Sequence, residues 1–341
     1  MTFMLKIMTK LSHKERILSL IKHEPIDRTP ISFWRHFYHK ERTAQELAEA
    51  MLDYQKMFDW DLMKVNPRAA YHVQDWGAVL KFSDDEFTKT QTVDYPVKKT
   101  SDWEKLKILK PTQGALGEQL QALSLIKKGL RDSVHFVETV FTPLSIAGDL
   151  LEDDKMLIRD LRENPKIIHQ VLEIITTTFE KFVVEILNTG ASGIFLATTQ
   201  WASSNYITKD EYLEFGKPYD LRILKAASEA ELNVLHVCEP NNFLELFTDY
   251  PAHIVNWDAA DPTNLNLKDG AKLAGKVVMG GIDHKLTLIN GKPEQIVSQA
   301  RRIREEMQGL KWILAPGCTY EPTAPEANLK ALREEVENWK V

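Results

Sequence analysis

Short apolar or β-branched runs alternate along the chain with longer stretches whose apolar positions recur at helical spacing. Eight runs can be read: Thr29–Trp34, Leu62–Asn66, Val134–Val140, Gly193–Thr198, Asn233–Cys238, Ile254–Asp258, Lys276–Ile282 and Trp312–Pro316. Strands separated by helices call for a parallel sheet covered by helices. The helical stretches carry start signals. Ser12 with Glu15 opens Ser12–Lys22, and Thr208 with Glu211 opens Thr208–Ala230, both as capping boxes. Pro165 lies in the first turn of Asn164–Asn188, Pro293 opens the helix after Gly291, and Pro325-Glu326 opens a last helix ending near Trp339. No linker separates two halves. The pattern therefore predicts an α/β fold, a (β/α)₈ TIM barrel forming a single domain over residues 1–341. Residues 1–11 read as an N-terminal tail. Residues 69–121 read as an excursion after the second strand, with a small hairpin over Trp76–Phe82.

Composition narrows the function classes. The 341 residues are 43% hydrophobic and 27% charged, which suits a packed globular core. With 43 Lys+Arg against 49 Asp+Glu the net charge is −6, so a nucleic acid partner is not expected. No apolar run approaches the roughly 18 residues of a membrane span, and no signal peptide is apparent. A cytoplasmic protein is expected. Two cysteines, Cys238 and Cys318, exclude a disulfide framework.

A TIM barrel places its chemistry at the C-terminal ends of its strands. Polar residues gather there: Arg35 and His36, Asn66, Glu138, Gln200 and Trp201, His236 with Cys238, Asp258, Asp283 with His284, and Cys318. His236 and Cys238 are two apart on one strand and so face the same way. Cys318 follows the last strand beyond Pro316-Gly317. Two thiols and an imidazole make a soft donor set suited to Zn²⁺, and three protein ligands leave a fourth position open for chemistry. The same spacing also suits two buried thiols without a metal. Glu138 is a candidate proton donor or a support for the metal site. Asp258 and Asp283 are candidates to orient His236 or to cap the helices that follow. Arg35 and His36 are candidates to hold an anionic substrate group. Asn66, Gln200 and Trp201 are candidates to line the substrate pocket, Trp201 equally as packing, and His284 is a candidate additional ligand.

Several segments resemble the uroporphyrinogen decarboxylase superfamily. They are Asp27-Arg28-Thr29-Pro30, Phe141-Thr142-Pro143-Leu144, Trp257-Asp258, Gly280-Gly281-Ile282-Asp283, and the ending from Gly317 to Pro325-Glu326-Ala327-Asn328. The resemblance covers nearly the whole chain. It implies a barrel shared by cofactor-free decarboxylases and zinc-dependent methyltransferases that work with corrinoid proteins. The decarboxylases carry an Arg-rich R-Q-A-G-R element, an aspartate ending strand two and a Gly-His after strand eight. Here those places read Trp34-Arg35-His36-Phe37-Tyr38, Lys64-Val65-Asn66 and Gly317-Cys318. The methyltransferase branch is similar in its H-x-C after strand five and single Cys after strand eight, which His236, Cys238 and Cys318 match. The resemblance thus implies zinc, a corrinoid (cobalamin) carried by a partner protein, and a small thiol acceptor or methylated donor. A uroporphyrinogen decarboxylase and a non-enzymatic metal- or partner-binding barrel stand as the alternatives.

Overall fold

The computed structural model describes residues 10–339. Seven parallel strands form one curled sheet: β1 (Leu62–Val65), β4 (His135–Phe141), β5 (Gly193–Ala197), β6 (Val234–Val237), β7 (Ile254–Trp257), β8 (Val277–Ile282) and β9 (Trp312–Pro316), side by side in that order. A separate antiparallel hairpin pairs β2 (Val79–Lys81) with β3 (Gln91–Asp94). The sheet has the TIM-barrel arrangement, with helices packed outside it.

The first predicted strand differs from expectation. Residues 29–34 form no regular strand: Ile31 makes an isolated bridge with Leu314, and Arg35, just beyond the run, makes another with Tyr320. The segment still occupies the gap between β9 and β1. Leu314 N donates to Pro30 O at 2.9 Å, Ser32 N to Leu314 O at 3.0 Å, and Asp61 N to Ile31 O at 2.9 Å. Side chains replace the rest of the ladder. Pro30 has no N–H to give. Ile31 N donates to the Asp61 carboxylate at 2.8 Å, and the Ser32 hydroxyl donates to Leu62 O at 2.7 Å.

Alternation along the strands divides the interior into two cores. Leu62, Val137, Phe195, Val234, Ile254 and Met279 point into the barrel, while Met63, Phe136, Ile194, Leu235, Val255 and Val278 pack against the helices. Inward polar residues occur mainly toward the C-terminal ends of the strands, which places the polar mouth there.

The capping boxes at Ser12/Glu15 and Thr208/Glu211 are both formed. The helix expected over Thr208–Ala230 is two helices, Lys209–Phe215 and Lys217–Ala226, broken at Gly216. Pro218 supplies no N–H at the break, so the first helix cannot run through it. The excursion after β1 is shorter than expected, because Gly114–Leu130 is already the helix that leads to β4. Its hairpin pairs Val79–Lys81 with Gln91–Asp94, so Trp76–Phe82 contributes one arm only. The N-terminal tail lies, up to residue 9, outside the described residues. No described helix is long and apolar enough to cross a membrane.

Candidate metal centre and its cavity

His236 and Cys238 leave β6 on its inward face, and Cys318 follows β9 across the mouth. Ligand atoms of the three lie within 4.8 Å of one another. Cys318 Sγ is 3.5 Å from His236 Nε2 and 3.9 Å from Cys238 Sγ. His236 is buried, and both cysteines are partly exposed toward the mouth.

The neighbouring chain holds each donor in place. Asn256, paired with His236 in the β6–β7 register, accepts from His236 Nδ1 at 2.6 Å. The amide's own donors are spent on Met279 O at 2.8 Å and Pro316 O at 3.1 Å. Its oxygen is thereby the end that faces the imidazole, and the proton sits on Nδ1. The Nε2 lone pair is left facing the sulfurs, as a metal ligand requires. Cys238 N donates to Thr198 Oγ1 at 3.0 Å. Immediately beyond it Glu239 has φ +73°, a left-handed conformation uncommon for a residue with a side chain. Asn264 holds that turn by donating to Glu239 O at 3.0 Å and Asp258 O at 3.1 Å. Gly317 sets the approach of Cys318: a Cβ added there would lie 2.6 Å from Asp258 Cα.

The two sulfurs lie within hydrogen-bonding distance of each other. The hydrogen bond from Cys238 and the adjacent His236 hold Cys318 well below the ordinary thiol range, and its partner Cys238 is correspondingly raised. A cation placed among the three would replace that hydrogen bond.

The cluster lines a cavity of about 660 Å³ that also takes in His36, Asn66 and Gln200, as well as Lys64, Arg68 and Thr319. Gln200 donates to the Asp154 carboxylate at 3.2 Å, and His36 pairs with Glu41 at 2.9 Å. Other candidates fall elsewhere. Glu138 points outward from β4 into the helix layer, fully buried, and accepts from Gln119 at 3.1 Å. Burial raises its carboxyl well above the usual range. Asp283 spends its carboxylate on the turn that follows, accepting from the backbone of Lys285, Leu286 and Thr287. Asp258 pairs with Lys285 at 2.9 Å. Neither aspartate hydrogen-bonds His236, whose orienting partner is Asn256. Trp201 is fully buried beside Gly148, where an added Cβ would lie 2.2 Å from its Nε1. Arg35 donates to Pro322 O at 3.0 Å and borders a separate cavity. His284 is buried with Nδ1 lacking a hydrogen-bond partner, and lies outside the three-residue group.

Two residues were not singled out from sequence. Asn256 carries its signal in the β6–β7 register, which a single sequence does not reveal. Lys64 was legible as an inward charge on an otherwise apolar strand.

The chain belongs to the uroporphyrinogen decarboxylase (URO-D) family, whose sequence model matches residues 12–339. It is similar to the methylcobamide:CoM methyltransferase MtbA of Methanosarcina acetivorans, 22% identical over 352 residues that span 98% of this chain and 100% of that protein. It is also similar to the uroporphyrinogen decarboxylase of Chlorobaculum parvum, 28% identical over 240 residues, 64% of each chain. Among solved structures, a methyltransferase from Methanosarcina mazei shares the fold with a TM-score of 0.83 at 20% identity, covering 96% of this chain and 98% of that one.

Proposed function

We propose that this protein is a zinc-dependent methyltransferase that moves a methyl group between a corrinoid on a separate protein and a small thiol or methylated substrate. The observation that carries this reading is the convergence of His236, Cys238 and Cys318 in the wall of a cavity at the barrel mouth. The donor set fits the ion: two sulfurs 3.9 Å apart, and an imidazole whose tautomer is set by Asn256. When bound, Zn²⁺ supplies the Lewis acidity that keeps a substrate thiol ionised at neutral pH or activates a donor heteroatom. The chain's own residues do the rest. Asn256 orients His236, Thr198 anchors Cys238, and Asn66 and Gln200 face the substrate space. The full-length similarity to a methylcobamide:CoM methyltransferase supports the corrinoid partner. Glu138, Asp258 and Asp283 act in this reading by supporting the mouth rather than by touching substrate. A cytoplasmic location suits the reaction, because both thiols must stay reduced.

The similarity to decarboxylases favours a second reading, tetrapyrrole decarboxylation. The strand end Lys64-Val65-Asn66 argues against it, since the decarboxylases that the sequence resembles carry an aspartate there to gather pyrrole N–H groups. The test is anaerobic turnover of the zinc-loaded protein with methylcobalamin and a panel of thiols, and with cobalt(I) cobalamin and a panel of methyl donors. Methyl transfer in either direction is expected. No transfer in both directions, with loss of carboxyl groups from a porphyrinogen, would replace the methyltransferase reading with the second.

A further inference from the structure

Three cationic side chains border the cavity that holds the cysteines: Lys64, Arg68 and Lys89. Lys89 is exposed to solvent. Arg68 has a carboxylate partner, donating to Glu118 at 2.7 Å as well as to Gln74 at 3.1 Å and Arg42 O at 3.4 Å. Lys64 differs from both. Its residue is 5% exposed, and among the described residues it forms no ion pair with a carboxylate. One hydrogen bond, to Asn66 Oδ1 at 2.9 Å, serves an ammonium that has three donors. Aromatic faces add to it: Nζ lies 4.8 Å from the Phe195 ring centre and 5.8 Å from that of Trp34. Burial draws the ammonium down to about 8 against the opposing fields of Cys318 and Glu138.

A buried, unpaired cation is costly to keep unless something completes it. Asn66 reaches on toward Thr319 Oγ1 at 3.5 Å, so the lysine's one partner also touches the residue after Cys318. The cation and the sulfur cluster thus border one cavity. We propose that Lys64 is the anion seat of the pocket, binding a carboxylate or sulfonate at the far end of a substrate whose sulfur or methyl-bearing atom lies at the cysteine cluster. The seat deepens the methyltransferase reading and rests on it for the identity of the reacting end. It also moves anion recognition to β1, away from Arg35, which borders a separate cavity, and from His36, which pairs with Glu41.

Equilibrium binding of propionate, ethanesulfonate and the neutral control 1-propanol separates the seat from the reaction, because none of them carries a thiol. The holoprotein, Lys64→Met and Lys64→Arg are compared. At least one of the two anions is expected to bind the wild type, more tightly than propanol, with the preferred one identifying the group. Lys64→Met should weaken that anion about 10-fold or more, and Lys64→Arg should recover part of the loss. In turnover with thiols bearing the same groups, Lys64→Met should raise KM for the anionic thiol about 10-fold more than for a hydroxyl-bearing thiol. Anion affinity equal in wild type and Lys64→Met, or propanol bound as well as either anion, would overturn the seat. Loss of anion binding in Lys64→Met together with no methyl transfer by the wild type would keep the seat and reject the methyltransferase reading.

Discussion

The two ends of the barrel both bury charge, and they treat it in opposite ways. At the N-terminal end Asp61, fully buried, is met by Arg16 Nη1 at 2.6 Å, Arg28 Nη1 at 2.6 Å, His13 Nδ1 at 2.8 Å and the Ile31 amide. Arg16 in turn grips Asp27 with two bonds of 2.7 Å. At the mouth, among the described residues, Lys64 has one hydrogen bond and no ion pair with a carboxylate, the two sulfurs lie 3.9 Å apart, and His284 Nδ1 has no hydrogen-bond partner. The lesson is that burial alone does not mark function. A closed network spends its charges on the fold, and an incomplete one holds them for a ligand.

Removing one charge from each end sharpens the contrast most. Asp61→Ala should cost about 3–5 kcal/mol of stability, because it strands the buried Arg28 guanidinium, leaves Arg16 with the Asp27 carboxylate alone and frees the strap that closes the barrel. Lys64→Met, by contrast, should leave stability unchanged or raise it, since the charge it removes has no ionic partner. Chemical denaturation of the three proteins checks both. Equal losses at the two ends would break the comparison.

The pH dependence is the subtler test. Burial alone would lower His13, but its hydrogen bonds to Asp59 and Asp61 outweigh that and raise it to about 9. The stability this gives is fully present below the unfolded imidazole value near 6.5. It is lost as pH rises through about 9. Asp61 has the opposite sign: burial would raise it, yet His13, Arg28 and Arg16 hold it well below the usual range. Its contribution is present above the unfolded carboxyl value of about 3.9 and is lost in acid. Between pH 6.5 and 9 the wild type should therefore lose stability relative to His13→Gln, measured by denaturation across that range. Parallel profiles would show that His13 is not part of the network.

Much of this was legible in one sequence. Seven of the predicted runs became strands, because each is a short apolar stretch bounded by turn residues and followed by a helix. The cysteine cluster was legible because i, i+2 parity places His236 and Cys238 on one face whatever the register. The same rule, applied to Val137 and Thr139 beside Glu138, turns that carboxyl outward. What stayed hidden depends on alignment between strands. Asn256 supports His236 only because β6 and β7 pair with those residues abreast. Pro30–Ser32 closes the barrel without a regular ladder because Asp61, distant in sequence, takes the Ile31 N–H.

The central claim is that the mouth is built to hold a metal. Metal content of the purified protein, Cys318→Ser and Asn256→Ala, measured by mass spectrometry after reconstitution under reducing conditions, tests it most directly. The wild type should carry about one zinc per chain, and Cys318→Ser should lose most of it. Asn256→Ala should bind zinc about 10–100-fold more weakly, with the three ligands intact. A wild type without zinc, or a Cys318→Ser variant that holds as much, would contradict the claim and return both cysteines to the packing of the barrel.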